Sequence, residues 1–404
     1  MKKVLVVQGQ SRYRVLNVAA DRIAEGIMQK GYDVEMMIRN ESISFSDCQK
    51  MLDEDYNFIF SCQAIAFDAV MQDKTPFLSR LNKPYFGWLF DDPLFHDSRV
   101  QNAVCPESFL FFIDKSFPEY ARMMYPGIKN AYYLPHGGFR QQAVIGDHFV
   151  ADYKDIDILF SGNIAEKKNI DDYASVLMPI EMLLIKEGLK ILEKHPWYSV
   201  RQALELVLHG LGEELTGELL LDLSNVIQIV DYEIRYQCKY QILESLLKNG
   251  FVVHVIGDGS SELTSRYPGQ VVVHGGLDIE RVVQLIGRSR IVINPSPTLT
   301  SGIHERIATA WLAHSVCFTP YSPFLENEFD CQLEFIDLMN LDGMLKRMRE
   351  ILDNFTDYIP HLENNYRIAS ESHTWERRGM QLADFYEQIV CGAGPGPLLV
   401  NDTK

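Results

Sequence analysis

Short apolar runs bounded by turn residues alternate along the chain with longer stretches in which apolar residues recur every three or four positions. That is the pattern of strand-helix-strand units built into a parallel sheet. A first series has runs at 3–7, 34–38, 58–61, 85–90, 108–113 and 131–134, with an amphipathic helix predicted over 15–30 and stopped by Gly31, and it ends at His136-Gly137-Gly138. A second series opens with 156–161 and continues with strands predicted at 252–256, 271–274, 291–294 and 316–319 and helices at 240–248, 279–286 and 303–313. Between them, about 166–223 keeps helical spacing (Met182, Leu183, Ile185, Leu189, Leu192; Leu204, Val207, Leu208, Leu211) with no strand, which predicts a helical insertion. A last helical pattern runs over 364–389 before Gly392-Ala393-Gly394-Pro395-Gly396-Pro397. The fold class expected is α/β with two Rossmann-like parallel-sheet domains, 1–145 and 146–370. A C-terminal helix at 371–390 that can cross back to the first domain and a flexible tail at 391–404 complete the chain.

Composition narrows the function. Across 404 residues, 47% hydrophobic and 23% charged, the chain falls outside the disordered, collagen-like and coiled-coil classes. Its 38 basic residues against 55 acidic ones leave a net charge of −17, which argues against non-specific coating of nucleic acid or anionic lipid and leaves room for a local basic pocket. The apolar stretch after Met1-Lys2-Lys3 is too short for a signal peptide, and no segment approaches the roughly 18 apolar residues of a membrane span, so a cytoplasmic protein is expected. Its 7 cysteines (Cys48, Cys62, Cys105, Cys238, Cys317, Cys331, Cys391) are scattered without a CxxC pair, which argues against zinc and a disulfide framework.

Open parallel sheets bind ligands beyond the carboxyl ends of their strands, so the chemistry is sought there. In the second half these positions read Ser161-Gly162-Asn163, Gly257-Asp258-Gly259, His274-Gly275-Gly276 and Asn294-Pro295-Ser296-Pro297-Thr298, followed by Ser301-Gly302 and a helix that carries His304, Glu305 and Arg306. Glycines admit backbone N–H groups to a ligand, a helix start stabilises anions, and Arg306 can neutralise charge growing on a departing diphosphate. A plain turn and a solvated helix end remain the alternative. In the first half the candidates are Gly9, Ser11, Asp91, Asp92, His96 and His136. Asp91-Asp92-Pro93 reads as a turn starter or as an acidic pair for a metal, and His136 as a base or as a residue paired to backbone. No GxGxxG or P-loop is present: Gly257-Asp258-Gly259-Ser260-Ser261-Glu262 lacks the third glycine.

In their order and spacing, Gly87-Trp88-Leu89-Phe90-Asp91-Asp92-Pro93, Tyr133-Leu134-Pro135-His136-Gly137-Gly138, Leu159-Phe160-Ser161-Gly162, Val255-Ile256-Gly257-Asp258-Gly259 and Asn294 with His304-Glu305-Arg306-Ile307-Ala308-Thr309-Ala310 resemble the CgeB-like glycosyltransferases of GT-B architecture, relatives of the family 1 and 4 sugar transferases. The resemblance implies two domains facing across a cleft, a nucleotide sugar held mainly by the second, an acceptor held mainly by the first, and no required metal or other cofactor. It points to a UDP-sugar such as UDP-GlcNAc or UDP-glucose as donor and to a protein Ser/Thr or a surface glycan as acceptor. Related enzymes often carry two glutamates eight positions apart around the diphosphate loop; the equivalent positions here are Ser301 and Thr309, which leaves Glu305 to take their place. Catalytic roles are thus expected of Asp92, His136, Glu305 and Arg306. A nucleotide-sugar 2-epimerase and a non-catalytic nucleotide-sugar-binding protein are the rival readings.

Overall fold

The structure, a computed structural model, describes residues 2–9, 11–39, 43–141, 153–164, 173, 175–328 and 333–392. Six strands, β1 (Lys3–Gln8), β2 (Asp33–Ile38), β3 (Phe58–Cys62), β4 (Tyr85–Leu89), β5 (Ser108–Phe112) and β6 (Ala131–Tyr133), pair in parallel in the order β2-β1-β3-β4-β5-β6. A second parallel sheet holds β7 (Ile156–Ser161), β8 (Val253–Ile256), β9 (Val271–Gly275), β10 (Ser289–Ile293), β11 (Val316–Pro320) and β12 (Glu334–Ile336) in the order β12-β11-β10-β7-β8-β9. The central strands β3, β4 and β5 are buried along their whole length, as strands covered on both faces must be, and this is why they read as unbroken apolar runs.

Each sheet changes direction once. From β1 the chain first builds outward to β2 and then returns to the other side for β3; from β7 it builds β8 and β9 and then returns for β10. The crevices beyond β1/β3 and β7/β10 are therefore the places where neighbouring connections diverge and a ligand finds room.

The described residues within Met1–Gly137, Thr216–Leu221 and His373–Lys404 form one compact unit, and those within Gly138–Leu215 and Asp222–Ser372 the other. In the first, the helices Val15–Gln29 and Trp375–Phe385 touch backbone to backbone. A Cβ on Gly26 would stand 1.9 Å from Glu376 O, and one on Gly379 would stand 2.0 Å from Ile23 O. Phe385 then enters an aromatic cluster with Phe86, Phe109, Phe111 and Tyr132 on the sheet.

The structure departs from the sequence pattern at several elements. Helix Phe45–Asp53 went unread; its signal was the Ser44/Asp47 capping box. The pattern read over 364–389 is two helices, Ile359–Ser372 and Trp375–Phe385, because Thr374 Oγ1 accepts from Arg377 N at 3.1 Å and starts a new helix. The insertion holds Pro179–Lys194, Val200–Leu211 and Gly217–Asp222, but the next helix, Ser224–Lys248, is continuous and starts well before 240. The short edge strand β12 was also missed. The boundary at 145/146, the start of the insertion at 166–172 and the tail at 393–404 lie outside the described residues. Among the described residues no helix is long and apolar enough to cross a membrane.

Candidate functional site

In the second unit the loops after β7, β8 and β9 are laced together by backbone bonds: Gly162 N donates to Ile256 O (2.9 Å), Gly257 N to Gly275 O (2.9 Å) and Ile164 N to Asp258 O (2.8 Å). The Asn163 carboxamide adds Oδ1 as acceptor for Asp258 N at 3.0 Å. Gly257 is required at its position: φ is +122°, and a Cβ there would meet Gly162 O at 2.7 Å. Gly259, at φ +91°, presses even closer on Ile164 O. These glycines thus serve the approach of two loops to one another. His274 Nε2 lies 3.0 Å from His254 Nδ1, and burial pushes both rings below the ordinary histidine range. Gly276 is exposed and Ser161 buried at the end of β7.

Beyond β10 the buried Asn294 is held from two sides. Its Oδ1 accepts from Arg306 NH1 at 2.7 Å, and its Nδ2 donates to Thr319 Oγ1 at 3.0 Å. The segment Ser296, Pro297, Thr298, Ser301, Gly302 then loops to helix Glu305–Leu312, tied down by Ser322 Oγ donating to Thr300 O at 2.7 Å. His304 caps that helix by accepting Arg306 N on Nδ1 at 3.2 Å, and the same atom faces the Glu305 carboxylate. One nitrogen cannot accept from the amide and donate to the carboxylate together. Burial pushes the His304 pKa down, which favours the neutral ring and the cap.

A residue the sequence reading missed completes this corner. Lys239, on helix Ser224–Lys248, donates to Asn163 O at 3.1 Å. Burial first, and then the nearby Arg306 and Arg235, push its ammonium down to about 8. Lys239, Arg306 and Arg235 thus gather near this corner, Arg235 Nε paired with Asp231 Oδ2 at 2.8 Å, in a chain of charge −17. Lys239 could not be found from spacing, since it lies mid-helix more than seventy residues from Asn163. Thr309, expected at the donor, instead faces the interior. Its hydroxyl donates to Glu305 O (2.7 Å) and accepts from Phe139 N (3.0 Å).

In the first unit β1 and β3 end at Gln8-Gly9 and Cys62-Gln63. Ser11 Oγ accepts from Leu16 N at 3.0 Å, and Asn17 Nδ2 donates to Gly9 O at 2.8 Å, which locks Gly9 and Ser11 to the following helix. The exit from β3 holds three non-glycine residues at positive φ, Gln63 (+58°), Ala64 (+47°) and Ala66 (+69°), at about 1–3 kcal/mol each. The strain fixes a bracket: Gln63 Nε2 donates to Asp91 Oδ2 (2.7 Å), Gln63 Oε1 accepts from Phe90 N (3.1 Å), and Arg99 NH1 donates to Gln63 O (2.6 Å). Against the same Asp91 oxygen lies His96 Nε2 at 3.5 Å. Asp91 and His96 are thus brought together. Asp92 is not part of the group: its Oδ1 accepts from Leu94 N at 2.9 Å and caps the turn Pro93–His96. His136 is also apart, 7% exposed, edge-on to Phe90 and Trp375, with its carbonyl held by the buried Arg378.

Residues 237–384 match the family profile described as glycosyl transferase-like. Among solved structures the chain resembles the sucrose-phosphate synthase of Thermosynechococcus elongatus, at 9% identity over 97% of this chain and 100% of that one, with a TM-score of 0.57. It is similarly close to Anabaena HepE solved with UDP-glucose (11% identity, 96% and 100% covered, TM-score 0.56) and to a glycosyltransferase of Rickettsia africae (9%, 96% and 98%, 0.53). The fold is GT-B. No curated protein matches by sequence. The matched stretch 237–384 takes in Lys239, Gly257, His274, Asn294 and Arg306, while Asn163 and Arg235 of the cationic corner precede it.

Proposed function

We propose that this GT-B chain is a glycosyltransferase that takes its sugar from a nucleoside diphosphate donor, with a UDP-sugar such as UDP-glucose or UDP-GlcNAc as the donor of choice, and passes it to an acceptor hydroxyl. The observation that carries the reading is the cationic corner at the β7/β10 switch point, where Arg306 and Lys239 flank Asn163 and Asn294. A diphosphate needs opposite charge that is already in place when the bond to the sugar breaks, and a guanidinium fixed by Asn294 supplies it without reorganisation. The loop from Ser296 to Gly302 and Glu305, whose carboxylate faces His304, would meet the nucleoside and sugar. No metal enters this scheme, because the two side-chain cations occupy that electrostatic role. The family profile and the UDP-glucose complex of HepE support the choice of donor class.

Thermal unfolding with UDP, ADP and the two UDP-sugars tests the proposal, since a ligand at 100 times its Kd adds about 2.7 kcal/mol. UDP and at least one UDP-sugar are expected to raise Tm in wild type and not in Arg306→Ala. A chain indifferent to every nucleoside diphosphate is not a transferase of this kind.

A further inference from the structure

Within the helical insertion, Pro179–Lys194 and Val200–Leu211 are joined by the turn His195-Pro196-Trp197-Tyr198-Ser199. Backbone and cap bonds pin it at both ends: His195 N donates to Ile191 O at 2.8 Å, Tyr198 N to His195 O at 3.0 Å, and Ser199 Oγ accepts from Gln202 N at 3.2 Å to start the next helix. The turn carries three rings. His195 stacks on Tyr198, with centroids 5.1 Å apart, and Trp197 stands edge-on to both, at 5.5 and 6.2 Å. Trp197 differs from the other tryptophans of the chain: Trp88, Trp311 and Trp375 are at most 1% exposed, whereas Trp197 is only half-buried.

Against Trp197 lies Tyr321, just after β11, with centroids 6.3 Å apart and the rings at 84°. Tyr321 is itself fixed, because its hydroxyl donates to Glu326 Oε2 at 2.7 Å and its ring meets the Phe335 ring edge-on at 5.4 Å. It lines one depression with Asn294, Ser296, Thr300 and His304, so the aromatic turn borders the residue that holds the Arg306 guanidinium. All of these residues belong to the second unit. The closed part of the depression, about 10 Å³, has room for a single water, and a larger ligand must lie across its mouth. That mouth combines a fixed aromatic wall with the hydroxyl-bearing Ser296 and Thr300. A pyranose matches both, since it turns a C–H face to the rings and hydroxyls to the rim.

We propose that the insertion completes the sugar subsite of the donor, with Trp197 and Tyr321 as the wall on which an uncharged, gluco-configured pyranose packs. Equatorial hydroxyls leave the faces of such a ring to C–H groups. The inference rests on the transferase reading and deepens it by giving the sugar its side of the diphosphate. The sheet order places β11 on one side of the β7/β10 corner and β8 and β9 on the other. A diphosphate held at that corner sends its two substituents in opposite directions, the sugar toward Tyr321 and the nucleoside toward the loops after β8 and β9. Trp197 is a specificity residue in this arrangement and takes no part in the chemical step.

The test uses the full chain and the emission of Trp197, which acrylamide reaches while the three buried tryptophans are shielded. Acrylamide quenching of wild type is expected to fall at saturating UDP-glucose or UDP-GlcNAc and to stay unchanged at saturating UDP. Trp197→Phe should remove most of the quenchable emission. In calorimetry Trp197→Ala should weaken UDP-glucose about 3- to 10-fold and leave UDP within about 2-fold of wild type, with Trp197→Phe retaining most of the affinity for the sugar. Equal shielding of Trp197 by UDP and by the UDP-sugars would put the nucleoside at the turn and overturn the proposal. Wild-type affinity for UDP and for both UDP-sugars in Trp197→Ala would overturn it as well. A wild-type chain that binds no UDP sinks the transferase reading itself, and calorimetry on the same sample separates that failure from the others.

Discussion

Lys239→Met should make the unliganded protein more stable and the donor complex weaker. Moving the ammonium from its usual 10.5 to about 8 costs the folded state about 3 kcal/mol at neutral pH. The hydrogen bond to Asn163 O returns about 1 kcal/mol of that, so replacing the cation with an apolar chain of similar length should raise stability by about 2 kcal/mol. The same change removes a charge-assisted contact to the diphosphate, about 1.5–3 kcal/mol, or roughly 10- to 150-fold in UDP affinity. Urea unfolding at pH 7 measures the first quantity and calorimetry with UDP the second. The sign for pH follows from the same shift. The unfolded chain holds the lysine proton between about 8 and 10.5 while the folded chain has lost it, so stability rises with pH across that window, and UDP affinity falls as the ammonium discharges. A variant that is less stable than wild type, and binds UDP equally well, would refute the placement of Lys239 as a strained cation held for an anion.

Arg306→Ala should lower turnover by at least ~100-fold, the scale for one lost transition-state donor, and should also lower Tm because Asn294 Oδ1 is left buried without its donor. Gly379→Ala should destabilise by about 3 kcal/mol or more, at the upper end of overpacking costs, because the new methyl would meet Ile23 O; chemical denaturation of the full chain measures it. Lys154, whose ammonium burial pushes down to about 7 while it donates to Ala313 O and Ser315 Oγ, should make stability rise from about pH 7 toward 10.5, and Lys154→Met should flatten that part of the curve in urea unfolding.

The sheets were legible because a doubly covered parallel strand must be apolar throughout: Phe58 to Cys62 and Ser108 to Phe112 announce themselves. Elements set by a single side-chain cap were not. Ser44 and Asp47 start a helix whose own sequence, Phe-Ser-Asp-Cys-Gln-Lys-Met-Leu-Asp, is as polar as a loop. Thr374 likewise divides a stretch whose apolar spacing runs on across the break.

Legibility of the site failed in a more instructive way. The strand-end rule leads to these loops, but it treats every polar residue in them alike, and what each group can do is decided by what it already holds. Asp92 and His136 share the sequence surroundings of a catalytic group, a strand end before a turn residue, yet one caps Leu94 and the other fills an aromatic cage. Asp91 and His96 meet only because Gln63, strained at φ +58° with no glycine to announce it, reaches across to orient the carboxylate. Lys239 costs the fold stability where it stands, and a propensity scale would place a lysine on the outer face of such a helix. A charge kept at such expense beside Arg306 is the feature that singles out the β7/β10 corner, and it becomes visible only when burial and neighbours are known together.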